Sequence, residues 1–438
     1  MKLSRTLNSV IMASESAQRN IVVVGGGIIG CTTAYFLTRH PSFNPTKHTI
    51  TILESQSIAS GASGKAGGLL ALWAYPSCIV PLSYKLHAEL AKEHDGEKRW
   101  GYRALHCGSL SAKGRDYSSL PSERTNNSNG NGDGDAPGGA KAEWQKLPKT
   151  ENGNTKSAPK NIPRDLDWFD DEAVKAYSEM GTPSTTAQVH PYQFTTSMAS
   201  LAESSGAKII LGSVISIDYS GPGGVKSVTY EDKETKVSHI LPATDLVLAA
   251  GPWTKHIFPA APIEATRAHS VVIKTDVSPY AVFSDIHLPR DFGQGVDGQG
   301  TKKRRHGRSV APEMYARPDG TVYACGEGDT LVPLPANSSL VVTSPSHCED
   351  IISYVGSISA PLRKGAILTQ QACYLPSVEG GGGPLIGETG IRGLYIATGH
   401  TCWGIQNSCA TGKLMSEFIF EGGAKSADIR ELDPRRVL

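Results

Sequence analysis

The sequence predicts an α/β fold that combines a parallel sheet with a second, mainly antiparallel sheet. Residues 21–24, Ile-Val-Val-Val, predict a strand that is buried on both faces, as in the middle of a parallel sheet. The runs at 49–53 and 244–248 predict two more such strands, and helix-like stretches lie between them, which is typical of α/β folds. Residues 267–354 instead alternate short strands with turns, which indicates an antiparallel sheet.

The composition favours a globular protein and argues against several classes of function. Of the 438 residues, 39% are hydrophobic and 19% are charged, and the net charge is +1. No overall field therefore attracts nucleic acid or a membrane surface. No apolar run is long enough to predict a transmembrane segment. The basic run at 302–308 favours a solvated loop over a nuclear-localisation or nucleic-acid signal.

Cysteine usage and low-complexity segments set further expectations. The eight cysteines form no C-x-x-C motif and no Cys/His cluster, so we expect no metal site and no disulfide framework. A reducing, cytoplasmic location follows as the default. Residues 1–19 predict a disordered tail, with a mitochondrial presequence as the alternative. Residues 121–163 predict a disordered insertion, because their Gly, Asn, Asp, Lys and Pro residues cannot bury enough apolar surface.

A glycine motif follows the first predicted strand. Gly25, Gly27 and Gly30 satisfy the pattern G-x-G-x-x-G. In a strand–turn–helix unit these glycines permit a tight turn, a close approach of the backbone to a pyrophosphate, and close packing of helix on strand. The helix beginning near Ile28 and Ile29 would offer unpaired N–H groups and the positive end of its dipole to phosphates. The motif alone does not identify the nucleotide.

An acidic residue and a loop of small residues come next. Glu54 ends the second strand, 24 positions after Gly30, close to where this fold places a carboxylate on a ribose hydroxyl. A solvated glutamate at a strand end is the alternative; a carboxylate here disfavours NADP. The loop at 60–68 would let backbone pass close to a long ligand, or it is a flexible surface loop. The candidate ligand-contacting residues of this region are Ser55, Ser63, Gly64, Lys65, Ala66 and Gly67.

In succession, the glycine motif, Glu54 and the small-residue loop resemble the D-amino-acid oxidase/sarcosine oxidase ("DAO-type") family of FAD-dependent oxidoreductases. In that family the loop runs along FAD towards the flavin. The wording Ala-Thr-Gly-His-x-Cys-Trp-Gly-Ile at 397–405 is most similar to a fungal-type subgroup. The resemblance covers most of the chain except the tail and the insertion.

The resemblance implies two domains of the DAO/glutathione-reductase type. A Rossmann-like FAD-binding domain with a parallel sheet would comprise residues 20–96, 190–262 and 365–438. A substrate domain with an antiparallel sheet would comprise residues 97–189 and 263–364, and would carry the insertion. A hairpin around Pro-Asp-Gly at 318–320 is expected within this second sheet.

Further FAD contacts are implied by the resemblance. The strand around Val214 would lie beside the adenine, and Ala250 and Gly251 match a strand end that contacts FAD in related flavoproteins. Near the C-terminus, the family counterpart is a strand, a glycine-rich turn and a helix that faces the pyrimidine end of the flavin. A helix N-terminus would stabilise the negative charge of the reduced flavin. The residues placed there are Gly399, His400, Trp403, Gly404, Ile405 and Thr411.

Two positions relate this chain to particular members of the family. Cys373 lies where sarcosine-oxidase-like members attach flavin covalently, which makes a covalent link a hypothesis; a buried inert thiol is the alternative. Several amine oxidases carry a lysine where this chain has Gln406. Because glutamine supplies no charge, prompt reaction with oxygen is in doubt.

The resemblance implies oxidation of a C–N bond in a small amine or amino acid, with a hydride passing to flavin N5 and oxygen or another acceptor reoxidising the flavin. His400 is the preferred active-site residue, and a tautomer held by a backbone hydrogen bond is its structural alternative. Tyr315 and Arg317 are candidates to hold a substrate carboxylate, as are Arg267 and His269, although residues of these types are more often surface or hairpin residues than ligands.

Two other functions stay open at this point. One is a flavin-binding regulatory or trafficking protein with vestigial catalysis, for which Gln406 is weak support. The other is an NAD-dependent dehydrogenase, which would lack the C-terminal flavin turn and would be colourless. The absorbance spectrum of the purified protein distinguishes an NAD-dependent dehydrogenase from the two flavin-binding functions.

Overall fold

The computed structural model describes residues 18–117, 161–221, 223–293 and 308–438. Most of the expected tail lies outside these ranges, but residues 18 and 19 are described, and Arg19 already belongs to the first strand. All but three residues of the expected insertion also lie outside them, as does the basic run apart from Arg308. Within the described ranges, no helix is both long and apolar enough to cross a membrane.

Strands and helices alternate in the first part of the chain, and strands dominate its middle. The strands are β1 (Arg19–Val24), β2 (His48–Glu54), β3 (Leu69–Ala71), β4 (Arg103–Ala104), β5 (His106–Lys113), β6 (Val174–Gly181), β7 (Thr186–Gln188), β8 (Ala207–Tyr219), β9 (Val225–Asp232), β10 (Ser238–Pro242), β11 (Asp245–Leu248), β12 (Ile263–Lys274), β13 (Tyr280–His287), β14 (Ser309–Val310), β15 (Glu313–Arg317), β16 (Thr321–Cys325), β17 (Ala366–Val378), β18 (Leu385–Glu388) and β19 (Leu394–Thr398). The α-helices are α1 (Ile28–Thr38), α2 (Ala62–Lys65), α3 (Val80–Glu93), α4 (Gly96–Trp100), α5 (Pro191–Ser204), α6 (Thr254–Ile257), α7 (Pro345–Gly356), α8 (Ala360–Lys364) and α9 (Gly404–Glu421).

The first sheet has the order β10-β9-β8-β2-β1-β11-β19-β18, and its five middle strands, β8 to β19, are parallel. Residues 21–24 of β1 are at most 4% exposed, as their uninterrupted apolar sequence predicts. The chain continues from β1 to β2 on one side, whereas β11 lies on the other. The strand order therefore reverses beside β1, and such a switch point is where open α/β sheets bind ligands.

The second sheet has the order β17-β12-β16-β15-β13-β5-β6, with β14 paired to β13. Its pairs are antiparallel except β13 with β5. The predicted hairpin is confirmed, because β15 and β16 flank the turn at 318–320. A small sheet, β3-β7-β4, lies apart from both.

One expected domain boundary differs from the structure. The boundary at 365 assigned β17 to the FAD-binding domain, yet β17 pairs along its whole length with β12, from Ile263↔Val378 to Lys274↔Ala366. Strand pairing is a long-range choice that the local sequence does not encode. The second sheet therefore includes residues 366–378, and the chain returns to the first sheet only at β18 and β19.

Candidate functional site

A cavity of about 720 Å³ lies between the carboxyl ends of the parallel strands and one face of the second sheet. From the first sheet its lining includes Val24, Glu54 and Thr398, and from the second sheet Tyr315 and Cys373. The residues of the sequence-predicted cofactor set that line it are Gly25, Gly27, Ile28, Ile29, Glu54, Ser55, Ser63, Lys65, Ala66, Gly67, Val214, Ala250, Gly251, Cys373, His400, Trp403, Gly404 and Ile405. Residues far apart in sequence thus meet around one space.

Two glycines of the G-x-G-x-x-G motif have no room for a side chain. Gly25 has φ +111°, and a Cβ there would lie 2.4 Å from the carbonyl oxygen of Ala249. A Cβ on Gly30 would lie 2.0 Å from the carbonyl oxygen of Gly25. Gly25 lines the cavity, whereas Gly30 supports the turn from behind by letting α1 approach β1.

The N-terminus of α1 opens into the cavity. Its first residue, Ile28, donates its backbone N–H to the hydroxyl of Ser63 at 2.9 Å, and Gly27 at the cap position supplies no side chain. The first-turn N–H groups and the helix dipole attract an anion. Ser63 on α2 brings a hydroxyl to the same point, so this end of the cavity suits a phosphate.

Glu54 is held rigidly at the edge of the cavity. Its Oε2 accepts the N–H of Gly26 at 2.7 Å and its Oε1 accepts the N–H of Gln56 at 2.8 Å, while the residue is 8% exposed. Two backbone donors therefore orient the carboxylate. Its remaining lone pairs suit the hydroxyls of a ribose.

A second part of the cavity is formed by the turn before α9. A 3₁₀ turn, Thr401–Trp403, leads into α9 at Gly404, and no side chain caps this helix. Both Gly404 and Ile405 line the cavity, so a second helix N-terminus faces it. This end suits a ligand atom that carries or gains negative charge.

His400 lies beside this turn and is 3% exposed. Neither of its ring nitrogens has a hydrogen-bond partner among the described residues. Burial lowers the pKa of His400 to about 3, so the ring is neutral near pH 7. The alternative that a backbone hydrogen bond fixes its tautomer is not what this structure shows, and the ring is free to bond a ligand.

Three predicted residues point away from the cavity. The side-chain Oε1 of Gln406 accepts the N–H of Ala71 at 2.7 Å, and the hydroxyl of Thr411 donates to the carbonyl of Asn407 at 2.9 Å within α9. The guanidinium of Arg317 donates to the carbonyl of Ala66 at 2.9 Å. These groups brace the backbone around the site instead of lining it. Gly64 and Gly399 also lie behind the lining.

Cys373 and Lys65 meet on the second-sheet side. Burial raises the pKa of the Cys373 thiol to about 11, against an opposing effect of the nearby Lys65 ammonium. Lys65 donates to the carbonyl of Ala372 at 2.9 Å. Arg267, the other predicted carboxylate ligand, pairs instead with Asp329 at 3.2 Å, and His269 is likewise absent from the lining.

Sequence reasoning missed several lining residues of the second sheet. Tyr315 was predicted, but the structure adds neighbours on the same face, and those are Phe283, Glu313, Tyr323 and Cys325. Glu313 could have been predicted from Tyr315, since residues two apart on a strand share a face. Nothing local indicated that Phe283, on β13, would join them.

The lining as a whole fits FAD. It offers two helix N-termini, a fixed carboxylate near the first, and, near the second, a buried histidine whose ring nitrogens have no partner among the described residues. The cavity volume lies within the range of ligand and cofactor pockets. A phosphate group and a ring that gains negative charge on reduction match these donors.

Solved structures of amino-acid-oxidising flavoenzymes share this fold. Glycine oxidase from Geobacillus kaustophilus superposes with a TM-score of 0.64 at 16% identity, covering 97% of this chain and 100% of that chain. L-proline dehydrogenase from P. horikoshii superposes with a TM-score of 0.65 at 18% identity, covering 96% of this chain and 98% of that chain. The predicted fold class is confirmed.

Sequence relatives occur in two yeasts. "Putative oxidoreductase TDA3" of Saccharomyces cerevisiae is 38% identical, over 96% of this chain and 95% of its own length. "Putative oxidoreductase C1F5.03c" of Schizosaccharomyces pombe is 34% identical, over 97% of this chain and 100% of its own length. The family model described as FAD dependent oxidoreductase (DAO) matches residues 20–418. The chain therefore belongs to the DAO family of FAD-dependent oxidoreductases.

Proposed function

We propose that this protein holds FAD along the cavity and oxidises a C–N bond of a small amine or amino acid, with oxygen or another acceptor taking up the electrons. The observation that carries the proposal is that two helix N-termini, of α1 and α9, both line one continuous cavity. A dinucleotide needs an anion site for its pyrophosphate, and a flavin needs a site for developing negative charge.

The residues at the α1 end would hold the ADP part of FAD. Backbone N–H groups of α1 and the hydroxyl of Ser63 would bind the pyrophosphate, and Glu54 would accept from the ribose hydroxyls. The backbone near Val214 would lie against the adenine, and Ala250 and Gly251 would pass beside the ribityl chain. The close approach at Gly25 leaves backbone, not side chain, against the ligand.

The residues at the α9 end would surround the flavin. FAD, when bound, supplies an acceptor for the hydride of a C–H bond adjacent to nitrogen. The N–H groups at Gly404 and Ile405 would stabilise the charge that this leaves. His400, neutral and unpartnered, would donate or accept a hydrogen bond without adding charge. Gln406 would act indirectly, by a hydrogen bond that ties α9 to β3, and Thr411 would do so by a hydrogen bond within α9.

Purified protein tests the proposal directly. We expect a yellow protein with flavin absorbance bands, bleached by at least one compound in a panel of amines and amino acids under anaerobic conditions. Hydrogen peroxide formation against reduction of an artificial dye then separates oxygen from other acceptors. A colourless protein would refute flavin binding. A flavoprotein that no member of the panel bleaches would favour the regulatory or trafficking alternative.

A cytoplasmic location is part of the proposal. All eight cysteines are free thiols in the structure, and unpaired cysteines suit a reducing compartment. Fractionation of cells that express the tagged full chain measures this. Recovery in an oxidising compartment would contradict it.

The linkage of FAD to the protein can be measured at Cys373. The thiol lines the cavity, but with a pKa of about 11 it is overwhelmingly protonated near pH 7, and the thiolate is the nucleophile. We therefore expect acid precipitation to leave the flavin in the supernatant. Flavin that stays in the pellet of the wild type but not of Cys373→Ser would establish the covalent link instead.

A further inference from the structure

A row of side chains crosses the second sheet where it faces the cavity. Glu313 on β15 lies opposite Cys325 on β16 and opposite Phe283 on β13 in the strand register. All three line the cavity. Since neighbours in register on one face stand about 5 Å apart, the carboxyl of Glu313 is set between a thiol and an aromatic ring.

The carboxyl of Glu313 has no cation beside it. Its Oε2 accepts the hydroxyl of Tyr315, and the thiol of Cys325 lies 3.8 Å from the same oxygen. Among the described residues no ion pair includes Glu313, and its Oε1 accepts no hydrogen bond from them. Burial raises the pKa of this carboxyl. A half-buried acid with no counter-ion among the described residues is a suitable partner for a cationic ligand.

The described lining of the cavity is poor in cationic groups that would bind a substrate carboxylate. No arginine is among its described lining residues. Arg317 donates to Ala66 and lies over the ring of Tyr323 at 5.1 Å, and Arg267 pairs with Asp329. Lys65 donates to a backbone carbonyl, and His400 is neutral near pH 7. A second carboxylate beside Glu313 would meet like charge.

Aromatic rings surround the same part of the cavity. Tyr315 stacks on Tyr323 with centroids 5.9 Å apart, and Phe283 meets Tyr315 edge-on at 6.0 Å. Trp403 and Tyr75, with ring centroids 5.8 Å apart, also line the cavity. Aromatic faces attract an organic cation and exclude an anion. Glu313 and these rings therefore both favour a cationic ligand.

We propose that Glu313 binds the ammonium group of the substrate, and that the substrate is an amine without a carboxylate on its reacting carbon. This rests on the proposed function and narrows its substrate class. An ammonium must lose a proton before its C–N bond is oxidised, since the nitrogen lone pair drives hydride loss. The Oε1 atom of Glu313 takes that proton, so one N–H bond breaks and one O–H bond forms.

Binding to the purified protein tests this without turnover. The probes are benzylamine, phenylglycine, which adds a carboxylate at the same carbon, and phenylacetate, which replaces the ammonium with a carboxylate. Each is titrated in two ways, by the change in flavin absorbance and by the shift in Tm. We expect benzylamine to bind most tightly and to raise Tm, phenylglycine to bind more weakly, and phenylacetate to bind least.

The variant Glu313→Gln keeps the shape of the side chain and an acceptor for Tyr315. It should weaken benzylamine binding about tenfold or more, the effect expected for losing a hydrogen bond to a charged group. The control is Glu203→Gln, which removes an exposed carboxylate of α5 that does not line the cavity, and should leave benzylamine binding unchanged.

Failure of this inference differs from failure of the proposed function. Flavin content is recorded first from the absorbance spectrum, and the Tm shift does not depend on it. A flavoprotein that binds phenylacetate or phenylglycine more tightly than benzylamine would overturn the assignment of Glu313 and leave amine oxidation standing. So would a Glu313→Gln variant with wild-type affinity for benzylamine, or no response to benzylamine by either measurement.

Discussion

Replacing Gly30 with alanine is expected to lower the free energy of unfolding by about 3 kcal/mol and to yield protein without flavin. The added Cβ would lie 2.0 Å from the carbonyl oxygen of Gly25, a backbone atom that cannot rotate away. Alanine gains only about 1 kcal/mol in helix propensity over glycine, which does not offset such an overlap. Moving α1 off β1 to relieve it would also displace the N–H groups at the start of α1 that we propose bind phosphate.

Urea unfolding and the ratio of flavin to protein absorbance measure the two effects. The matched control is Gly423→Ala, because no atom lies within 4 Å of a Cβ at that position and Gly423 is remote from the cavity lining. The control should retain wild-type flavin content. If Gly30→Ala also retained it, the close packing of α1 on β1 would not matter for the cofactor.

Lowering the pH from 7 to 4 is expected to destabilise the protein, with about 3 kcal/mol of the loss due to His87 alone. His87 on α3 is 1% exposed, and burial lowers its pKa from 6.5 to about 4. The unfolded chain therefore binds this proton more readily than the folded one. The contribution of His87 is complete above pH 6.5 and is lost as the pH falls towards 4.

The variant His87→Gln isolates this contribution. In the wild type, Nε2 of His87 hydrogen-bonds the carbonyl oxygen of Ile405 at 2.9 Å, and a glutamine amide can replace that donor without gaining a charge in acid. Urea unfolding at a series of pH values should show that the variant loses about 3 kcal/mol less than the wild type between pH 7 and pH 4. Equal losses in both proteins would contradict the prediction, because they would mean that folding does not lower the pKa of His87.

Much of the fold was predictable because its signals are local. Four consecutive apolar residues at 21–24 predicted a strand buried on both faces. The Pro-Asp-Gly turn predicted where β15 ends and β16 begins. The nucleotide end of the site was predictable for the same reason. Gly25, Gly27 and Gly30 owe their role to the backbone of one turn, whose geometry the spacing alone defines.

Predictions failed where two distant segments had to be brought together. Gln406 has the right position on α9, but its side chain turns to the N–H of Ala71, which lies far away in sequence. Arg317 is on the same face of β15 as Tyr315, yet its guanidinium donates to the carbonyl of Ala66 and does not line the cavity. In both cases the side chain hydrogen-bonds a backbone group of a distant segment and does not face the cavity, because buried polar groups must be satisfied.

Short-range patterns in the sequence are enough to predict a strand–glycine turn–helix unit, a carboxylate after the next strand, and a C-terminal strand–turn–helix of flavoenzyme type. The chemistry of these units follows from spacing. Three other features depend on the folded structure: β17 joins the second sheet, Arg317 and Arg267 bond to other protein groups, and Glu313 faces the cavity with no ion pair among the described residues. The substrate end is assembled from strands of the second sheet whose pairing is long-range, and no local signal encodes which side chains then meet.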